Sequence, residues 1–272
     1  MTLCWVDGRP TEVLGVKDRG LAYGDGLFET VLVKSGQPTL LDRHLQRLAS
    51  GGSRLAINLD LKLLRDECNA FAAQMGEGVL KLIVTRGDGQ RGYAPAPDAT
   101  PRRILQSSAL PVYPAAHAEQ GIRLFPCQTR LAEQPLLAGL KHLNRLEQVI
   151  ARGEWRDALH AEGLMRDTSG RIVEGVHSNL FLVAQDVLFT ADLSRCGVAG
   201  VMRAELLDQA RSTGITVQIA DLQMTHLAQA DEVFVCNSVY GIWPVTGFER
   251  QHWSVGPLTR KLQNLACRLL DI

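Results

Sequence analysis

Hydrophobic positions follow two different spacings along the chain, and together they predict a mixture of strands and helices. Short apolar runs rich in β-branched residues are typical of strands. Such runs occur at 27–33, 79–85, 103–109, 121–126, 178–184, 187–190 and 232–236. Apolar residues three or four positions apart favour helices. These helices are expected from Asp42, over Leu61–Phe71, from about Asn144 to Trp155, from Val201 to about Ser212 and over 257–270. The order of elements predicts a mixed α/β or α+β fold.

Proline and glycine positions predict how the chain is divided. Pro111 and Pro114 lie among small residues between two strand-like runs. We therefore expect a smaller N-terminal α/β domain over 1–112, a linker over 113–118 and a larger C-terminal α/β domain over 119–272. Residues 87–101 contain several glycines and prolines, which predict a long irregular loop. A loop of that length in a compact domain is more often functional than idle.

The composition is that of an ordinary globular protein. The 272 residues are 46% hydrophobic and 21% charged, and the basic and acidic residues number 29 each. This balance argues against a dedicated nucleic-acid binder. The chain has neither a membrane-spanning apolar run nor a signal-peptide pattern, so we expect a cytoplasmic protein without membrane or nucleic-acid partners. The six cysteines are scattered, which favours reduced thiols over a metal site.

One of the six lysines has an unusual setting. Lys141 lies in the apolar, irregular segment 136–144, just before a predicted helix. Burial among leucines disfavours the ammonium form, which lowers the pKa of a lysine and makes its amine a usable nucleophile or base. The same pattern fits a lysine whose stem only covers apolar surface. Spacing alone leaves both interpretations open.

Three further segments carry groups that could bind an anion or a ring nitrogen. Residues 197–200 are small and lead into a helix at Val201. The first amides of that helix could bind a phosphate, although many ordinary helices also start in this way. Arg47 lies beside His44 on one helix face and could bind phosphate, or it could lie on a solvated surface. Glu174 lies between two strand-like runs, where an isolated carboxylate usually faces solvent.

Taken together, these groups are what a pyridoxal phosphate site requires: an amine, a carboxylate for the pyridine nitrogen, and phosphate-binding donors. Five blocks of sequence then occur in the order that class IV aminotransferases show. The blocks are Tyr23–Thr30, His44–Leu48, Lys141–Arg145, Glu174 with Ser178–Phe181, and Gly197–Arg203. The chain therefore resembles this family, the fold-type IV pyridoxal phosphate enzymes, over nearly its whole length. The resemblance implies a two-domain α/β fold like that of D-amino acid aminotransferase, and a homodimer.

The resemblance also implies which residues bind pyridoxal 5'-phosphate. The implied set is Lys141, Glu174, Arg47, Val201, Met202, Asn237 and Ser238. In this set the catalytic Lys141 forms the Schiff base with the cofactor, and Glu174 keeps the pyridine nitrogen protonated. The phosphate is implied to lie against Arg47, the first helix amides and the Ser238 hydroxyl.

Within the family, the residues around Lys141 are most similar to those of its lyases. Branched-chain transaminases generally have tyrosine where this chain has Leu146, and they favour glycine in place of Thr30. The implied reaction releases pyruvate from 4-amino-4-deoxychorismate and leaves 4-aminobenzoate, with Thr30 relaying a proton to the leaving pyruvate. The substrate carries two carboxylates. The candidate substrate-binding residues are Arg91, Tyr93, Asn144, Arg145 and Val239.

Three other functions remain open from the sequence. A transaminase of the same fold, acting on D- or branched-chain amino acids, needs the same lysine and phosphate groups, and transaminases carry an acidic residue at the position of Glu29. A non-catalytic carrier of pyridoxal phosphate or another metabolite would have no need for Glu174. A cofactor-free Schiff-base lyase would leave the phosphate-binding features unexplained.

Overall fold

The computed structural model describes residues 3–272, which fold into two compact units. Unit 1 contains the residues up to Pro111 together with Leu140–Asn144. Unit 2 contains Val112–Gly139 and Arg145–Ile272. Lys141 therefore belongs to unit 1, although the residues before and after its segment belong to unit 2. The division at 1–112, 113–118 and 119–272 did not include this returning segment, and it stays a prediction.

The described part of unit 1 consists of an antiparallel sheet and three helices. Its strands are β1 (Cys4–Val6), β2 (Arg9–Pro10), β3 (Gly26–Lys34), β4 (Gln37–Pro38), β5 (Gly78–Thr85) and β6 (Arg102–Ser108). Its helices are α1 (Arg19–Tyr23), α2 (Leu41–Leu55) and α3 (Leu61–Met75). The strands lie in the order β2-β1-β6-β5-β3-β4.

The core of unit 1 lies between one face of this sheet and helices α2 and α3. Leu27, Val31 and Val33 point to this face of β3 because side chains alternate along a strand, and all three are buried. The helix α2 packs so closely on β3 that a Cβ on Gly51 would lie 2.8 Å from Leu27 Cδ1. The opposite face of β3 carries Phe28 and residue 30. The two faces therefore have separate roles.

Helix α3 follows the same physical rules. It begins after Asp60, whose side chain accepts a hydrogen bond from the Leu63 amide at 2.9 Å. A carboxylate at this position satisfies a backbone N–H group that has no partner within the helix. Leu64 and Phe71 recur at helical spacing and are fully buried. The Phe71 ring packs edge-on against Trp5, with centroids 5.2 Å apart.

The described part of unit 2 is a larger mixed sheet with five helices. Its strands are β7 (Ile122–Leu131), β8 (His160–Asp167), β9 (Ile172–Gly175), β10 (Asn179–Ala184), β11 (Val187–Ala191), β12 (Val217–Ala220), β13 (Glu232–Asn237), β14 (Gly241–Phe248) and β15 (Gln251–His252). Its helices are α4 (Ala116–Glu119), α5 (Leu146–Arg152), α6 (Val201–Ser212), α7 (Met224–Ala228) and α8 (Pro257–Leu270). The order is β12-β11-β10-β13-β14-β7-β8-β9, with β15 on β14.

The central strands of unit 2 are buried on both faces. Residues 179–183 of β10 and 232–236 of β13 are buried without interruption. Such strands read as continuous apolar runs rather than as alternating ones. The helix α8 starts at Pro257, a favoured first position. The buried Glu232 carboxylate accepts its first amides, from Leu258 at 3.1 Å and Thr259 at 2.7 Å.

The predicted strands and helices are confirmed, and several boundaries differ. Strand β7 continues to Leu131 and helix α3 to Met75, beyond the predicted ends at 126 and Phe71. The helix expected from about Asn144 to Trp155 is the shorter α5, because the Asn144 side chain binds the Gly24 carbonyl at 3.2 Å outside the helix. Residues 87–101 contain no helix or strand, as expected. The apolar spacing did not predict β8 or β14.

Three structural checks bear on the expectations drawn from composition. Across residues 3–272, no helix is both long and apolar enough to cross a membrane. All six cysteines lie in this range and are free thiols. In the same range, no three or more His, Cys, Asp or Glu side chains come together in a way that could hold a metal ion.

The packing of α3 on the sheet predicts the effect of one truncation. Leu64→Ala should lower the free energy of unfolding by about 2–5 kcal/mol, because it leaves a cavity at a fully buried site. Leu63→Ala is the matched control on the same helix, and its side chain is 38% exposed. Urea unfolding followed by circular dichroism measures both changes. Equal losses for the two variants would contradict the described packing.

Candidate active site

Lys141 lies along the start of β3 in unit 1. Its carbonyl accepts a hydrogen bond from the Phe28 amide at 2.9 Å, and the Leu143 amide donates to Gly26 O at 3.0 Å. These bonds fix the segment against the strand. The Lys141 Nζ lies 4.4 Å from the centroid of the Phe28 ring. An aromatic face, which attracts a cation, therefore lies beside the amine of this half-buried lysine.

Thr30 lies on the same face of β3 as Phe28. The two residues are two positions apart, so their side chains point to the same side of the sheet. Both are half-buried. The antiparallel register places Lys81 of β5 opposite Thr30, and Lys81 Nζ lies 5.4 Å from the Phe28 centroid. The structure therefore brings Thr30 and Lys141, the two predicted catalytic residues, to one face of the sheet of unit 1.

A buried cluster of charged side chains lies on the opposite face of β3. Glu29 is 1% exposed. Its Oε1 accepts a hydrogen bond from Arg47 Nε at 2.8 Å, and Arg47 Nη2 donates to Oε2. His44 Nδ1 lies 2.6 Å from Oε2. Because His44 and Arg47 are three residues apart on α2, both reach the same carboxylate.

This cluster perturbs the pKa values of its members. Burial acts to raise the pKa of Glu29, but the Arg47 charge and the hydrogen bonds from His44 and Arg47 outweigh it and lower the pKa to about 2. Burial lowers the pKa of His44, and the positive charges of Arg47 and Lys141 lower it further. The Glu29 carboxylate acts in the opposite direction and raises it. The His44 Nε2 is buried and has no hydrogen-bond partner in the described part of the chain.

Arg47 is therefore a fixed group rather than a mobile surface side chain. Its side chain is 13% exposed, and the pair with Glu29 uses the Nε and Nη2 edge of the guanidinium. A planar guanidinium that is held along one edge is preorganised for bidentate binding of an anion. The role of Arg47 toward a phosphate stays a prediction.

Glu174 of unit 2 lies on β9 and is 4% exposed, so it does not face solvent as an isolated carboxylate usually does. Its Oε2 accepts a hydrogen bond from the Val198 amide at 2.8 Å. The Val198 carbonyl accepts from Asn179 Nδ2 at 2.9 Å. The backbone N–H and C=O groups of Val198 are thus both hydrogen-bonded, and these bonds place the loop before α6 beside Glu174. Gly197 has a φ of +84°, which favours glycine at this turn.

The start of α6 lies next to this loop. The helix begins at Val201, as the sequence predicted, and its first turn carries the amides of Val201 and Met202. Gly200 caps the helix without a side-chain hydrogen bond. A Cβ on Gly200 would lie 2.0 Å from Asn179 Oδ1, so only glycine fits there. The first amides of a helix carry partial positive charge and favour anions.

A second buried carboxylate fixes the turn that follows Glu174. Glu162 has no exposed surface. Its Oε1 accepts from the Gly163 amide at 2.8 Å and the Val176 amide at 3.0 Å, and its Oε2 accepts from Ser178 Oγ at 2.7 Å. These donors surround the carboxylate and hold residues 176–178 rigidly. Glu162 thereby positions the strand end that carries Glu174.

The turn at 237–240 is shaped by the side chain of Asn237. Its Oδ1 accepts from the Val239 amide at 2.9 Å and the Tyr240 amide at 3.0 Å, and its Nδ2 donates to the His177 carbonyl at 3.3 Å. Ser238 and Val239 are half-buried within this turn. The hydrogen bonds of Asn237 thus support the turn that presents Ser238.

The predicted substrate-binding residues lie in different surroundings. Burial lowers the pKa of Arg145, and the negative charges of Glu174 and Glu147 act to raise it. Asn144 is exposed and packs on Gly24, whose carbonyl it binds. The two residues on the long loop, Arg91 and Tyr93, are exposed. Among these predicted substrate-binding residues, Arg145 is therefore close enough to interact electrostatically with Glu174, a candidate cofactor-binding group.

Each unit, taken by itself, carries donor groups of the kind that pyridoxal phosphate requires. Unit 1 supplies a half-buried amine on an aromatic face and an anchored guanidinium. Unit 2 supplies a buried carboxylate that accepts from the Val198 amide, and the helix start at Val201, where a Cβ on the preceding Gly200 would clash with Asn179. An amine, a carboxylate and phosphate-binding donors are the chemistry that this cofactor requires.

Comparison with known proteins identifies the family. The family model described as amino-transferase class IV matches residues 26–248. The chain belongs to the class IV aminotransferases. It is 36% identical over 264 residues to the aminodeoxychorismate lyase of Vibrio harveyi, covering 95% of this chain and 97% of that protein. It is 30% identical to a putative branched-chain-amino-acid aminotransferase of Methanocaldococcus jannaschii, covering 95% and 91% of the two chains.

A solved structure of this family is also similar. The crystal structure of 4-amino-4-deoxychorismate lyase from Pseudomonas aeruginosa has a TM-score of 0.98 and 62% sequence identity, and the match covers 99% of this chain and 100% of that one. The predicted membership of the class IV aminotransferases and the predicted mixed α/β fold are confirmed.

Sequence reasoning missed two of the carboxylates that organise this class IV aminotransferase. The burial of Glu29 had a signal, because it alternates with Leu27 and Val31 on a strand whose other face carries Phe28. The burial of Glu162 had no signal in the sequence, because its donors on residues 176–178 belong to a turn whose position depends on the fold. Only the structure shows that both carboxylates are buried.

The Glu29 cluster predicts a pH-dependent contribution to stability. Glu29→Gln removes the charge that pairs with Arg47 and leaves that buried cation uncompensated, so we expect a loss of about 3–5 kcal/mol in the free energy of unfolding at pH 7. Folding lowers the pKa of Glu29 from 4.5 to about 2. The stabilisation is therefore complete above about pH 4.5 and is lost as the pH falls toward about 2.

Urea unfolding at a series of pH values checks this prediction. The difference between wild type and Glu29→Gln should shrink as the pH drops below about 4.5. Asp42→Asn is the control on the same helix, because its carboxylate is 85% exposed and pairs with Arg65 at the surface; little change is expected there. A Glu29→Gln deficit that stays constant down to pH 3 would show that the ionised carboxylate is not the stabilising group.

Proposed function

We propose that this chain is an aminodeoxychorismate lyase, which converts 4-amino-4-deoxychorismate to 4-aminobenzoate and pyruvate for folate biosynthesis. The observation that carries the proposal is the 62% identity, over 99% of the chain, to the Pseudomonas aeruginosa lyase at a TM-score of 0.98. The Vibrio harveyi lyase is 36% identical, whereas the Methanocaldococcus jannaschii aminotransferase is 30% identical. The transaminase activity is therefore the second candidate.

The cofactor is pyridoxal phosphate, and its binding groups are proposed residue by residue. The Lys141 amine would hold the aldehyde carbon. Glu174, fixed by the Val198 amide, holds the proton of the pyridine nitrogen. Arg47, the amides of Val201 and Met202, and the Ser238 hydroxyl bind the phosphate, with Asn237 shaping the turn around Ser238.

The bound cofactor supplies an electron sink for the carbon that bears the substrate amine. Once the substrate amine has taken its place on the cofactor, the freed Lys141 amine would remove the proton from that carbon as a general base. Glu174 supports this step because a protonated ring nitrogen accepts negative charge better than a neutral one. The ether bond between the ring and the enolpyruvyl group then breaks, and Thr30, on the same sheet face as Phe28 and Lys141, would donate a proton to the departing pyruvate through its hydroxyl.

The substrate carries two carboxylates, which call for cationic and polar partners. Arg91 and Arg145 are assigned to them because a guanidinium binds a carboxylate in a bidentate way. Tyr93, Asn144 and Val239 complete the proposed substrate-binding set. Arg91 and Tyr93 come from the exposed loop, so their placement depends on how that loop is held.

The proposed assembly is a cytoplasmic homodimer. Leu146, Val149 and Ile150 lie at helical spacing on one face of α5 and are 74%, 64% and 60% exposed. A contiguous apolar helix face of this kind favours a protein partner over solvent. A second copy of the chain is the partner that the family resemblance implies.

The direct test is to incubate the purified protein with 4-amino-4-deoxychorismate and no keto acid. A lyase forms 4-aminobenzoate and pyruvate in equal amounts under these conditions. A transaminase needs a keto acid acceptor and leaves pyridoxamine phosphate on the protein. Absence of 4-aminobenzoate and pyruvate, together with transfer of an amino group from a D- or branched-chain amino acid to an added keto acid, would overturn the proposal in favour of the transaminase.

Substitution of Lys141 should abolish both cofactor attachment and turnover. Lys141→Ala is expected to lack the visible absorbance of lysine-bound cofactor and to form 4-aminobenzoate on the order of a thousandfold more slowly. Lys81→Ala is the matched control, because Lys81 Nζ lies 5.4 Å from the same Phe28 ring centroid, and it should keep the absorbance. A visible chromophore that persists in Lys141→Ala would refute the assignment.

Substitution of Glu174 should separate cofactor binding from catalysis. Glu174→Gln keeps the side-chain volume but removes the charge that holds the ring proton. We expect roughly a hundredfold slower turnover with most of the cofactor retained, because the electron sink is weakened more than binding is. Absorbance titration and steady-state kinetics measure the two effects. Turnover within about twofold of wild type would exclude this role for Glu174.

A further inference from the structure

The loop at 87–101 carries Arg91 and Tyr93 but buries little of its own surface. Residues 90–98 are all exposed, and Tyr93 is 86% exposed. A segment with so few buried apolar contacts cannot hold one conformation by packing. Its position depends instead on individual hydrogen bonds to the rest of unit 1.

A buried arginine supplies the central hydrogen bonds. Arg19 lies on α1 and is 4% exposed. Its Nη1 donates to the Gly92 carbonyl at 3.0 Å, and its Nη2 donates to the Tyr93 carbonyl at 2.8 Å. One guanidinium therefore binds the two consecutive carbonyls that directly follow Arg91. Its Nε donates to Asp25 Oδ2 at 2.9 Å, which balances its charge.

Further contacts fasten the same stretch of backbone to α1. The Gly92 amide donates to Tyr23 Oη at 3.3 Å, and the Tyr23 and Tyr93 rings lie 5.5 Å apart. The Arg19 guanidinium lies 4.8 Å from the Tyr23 ring centroid. The Arg19 stem also packs so closely that a Cβ on Gly89 would lie 2.7 Å from Arg19 Cδ. The loop is thus held on both sides of Arg91.

A second arginine on Asp25 provides an internal comparison. Arg86 Nε donates to Asp25 Oδ2 at 2.7 Å, and its Nη2 donates to Asp25 Oδ1 at 3.0 Å. Its other bonds go to the carbonyls of Leu55 and Ala56 at the end of α2, at 2.8 Å and 2.9 Å. Arg19 and Arg86 therefore share one carboxylate, but Arg19 directs its guanidinium to the loop whereas Arg86 directs its own to a helix end.

We infer that Arg19 is a positioning residue that fixes the backbone at Gly92 and Tyr93 and thereby sets where Arg91 meets a substrate carboxylate. The inference rests on the proposed function, because Arg91 is assigned to the substrate there. A guanidinium is required since it offers several donors in one plane, and the two carbonyls and Asp25 use three of its nitrogens at once. An ammonium at this position reaches fewer of them.

The experiment compares Arg19→Lys with Arg86→Lys in the holoenzyme. Arg19→Lys should raise KM for 4-amino-4-deoxychorismate by roughly tenfold and leave kcat within about twofold, since it weakens substrate binding rather than chemistry. The amides of residues 92–94 should exchange hydrogen for deuterium faster than in wild type. Arg86→Lys keeps the loop contacts and should leave both KM and exchange at 92–94 near wild type.

A double-mutant cycle with Arg91→Met tests whether Arg19 acts through Arg91. If it does, the KM of the double variant will equal that of Arg91→Met, because Arg19 then has nothing left to position. Independent, multiplicative effects would overturn the inference, as would unchanged loop exchange in Arg19→Lys. Should Arg19→Lys fail to fold, Arg19→Gln also removes the planar guanidinium from the Gly92 and Tyr93 carbonyls, and unchanged exchange at 92–94 in that variant would overturn the inference equally.

The same data separate this inference from the proposed function. Hydrogen exchange reports on the loop whether or not the protein is a lyase. The wild-type protein could lack lyase activity while residues 92–94 still exchange faster in Arg19→Lys. That result would refute the proposed function and support the anchoring of the loop by Arg19. Normal lyase activity with unchanged exchange would refute the anchoring alone.

Discussion

Buried carboxylates surrounded by fixed donors organise both units of this protein. A carboxylate loses its hydration when it is buried, so it is stable only where cations or N–H and O–H groups replace the water. Glu29 has Arg47 and His44, Glu174 has the Val198 amide, and Glu162 has a ring of donors from residues 163–178. Each of these carboxylates holds a side chain or a turn in place. The candidate active-site groups are therefore preorganised by the fold.

The two faces of β3 show how one strand supports two tasks. Leu27, Glu29 and Val31 point toward α2, where the apolar residues form the core and the carboxylate anchors Arg47. Phe28 and Thr30 point the other way, toward the segment of Lys141. A shift of the strand by one residue would exchange these faces and destroy both the core and the candidate site. The register of β3 against β5 is thus a functional constraint as well as a structural one.

The parts of the fold with local signals could be predicted from the sequence. Helices α6 and α8 begin where Gly200 and Pro257 predict, because the end of a helix depends on residues next to it. The family resemblance and the candidate lysine were likewise readable from local blocks. The roles of Glu162 and Arg19 were not, because their partners lie on turns and loops whose position exists only in the folded chain.

The function proposed for this protein depends on the attachment of pyridoxal phosphate to the amine of Lys141. Reduction of the native holoenzyme with borohydride makes such a bond permanent, and proteolysis with mass spectrometry then locates it. We expect the pyridoxyl group on Lys141, with the five other lysines unmodified. A pyridoxyl group on Lys81 or another lysine, or a cofactor that leaves the reduced protein freely, would contradict it.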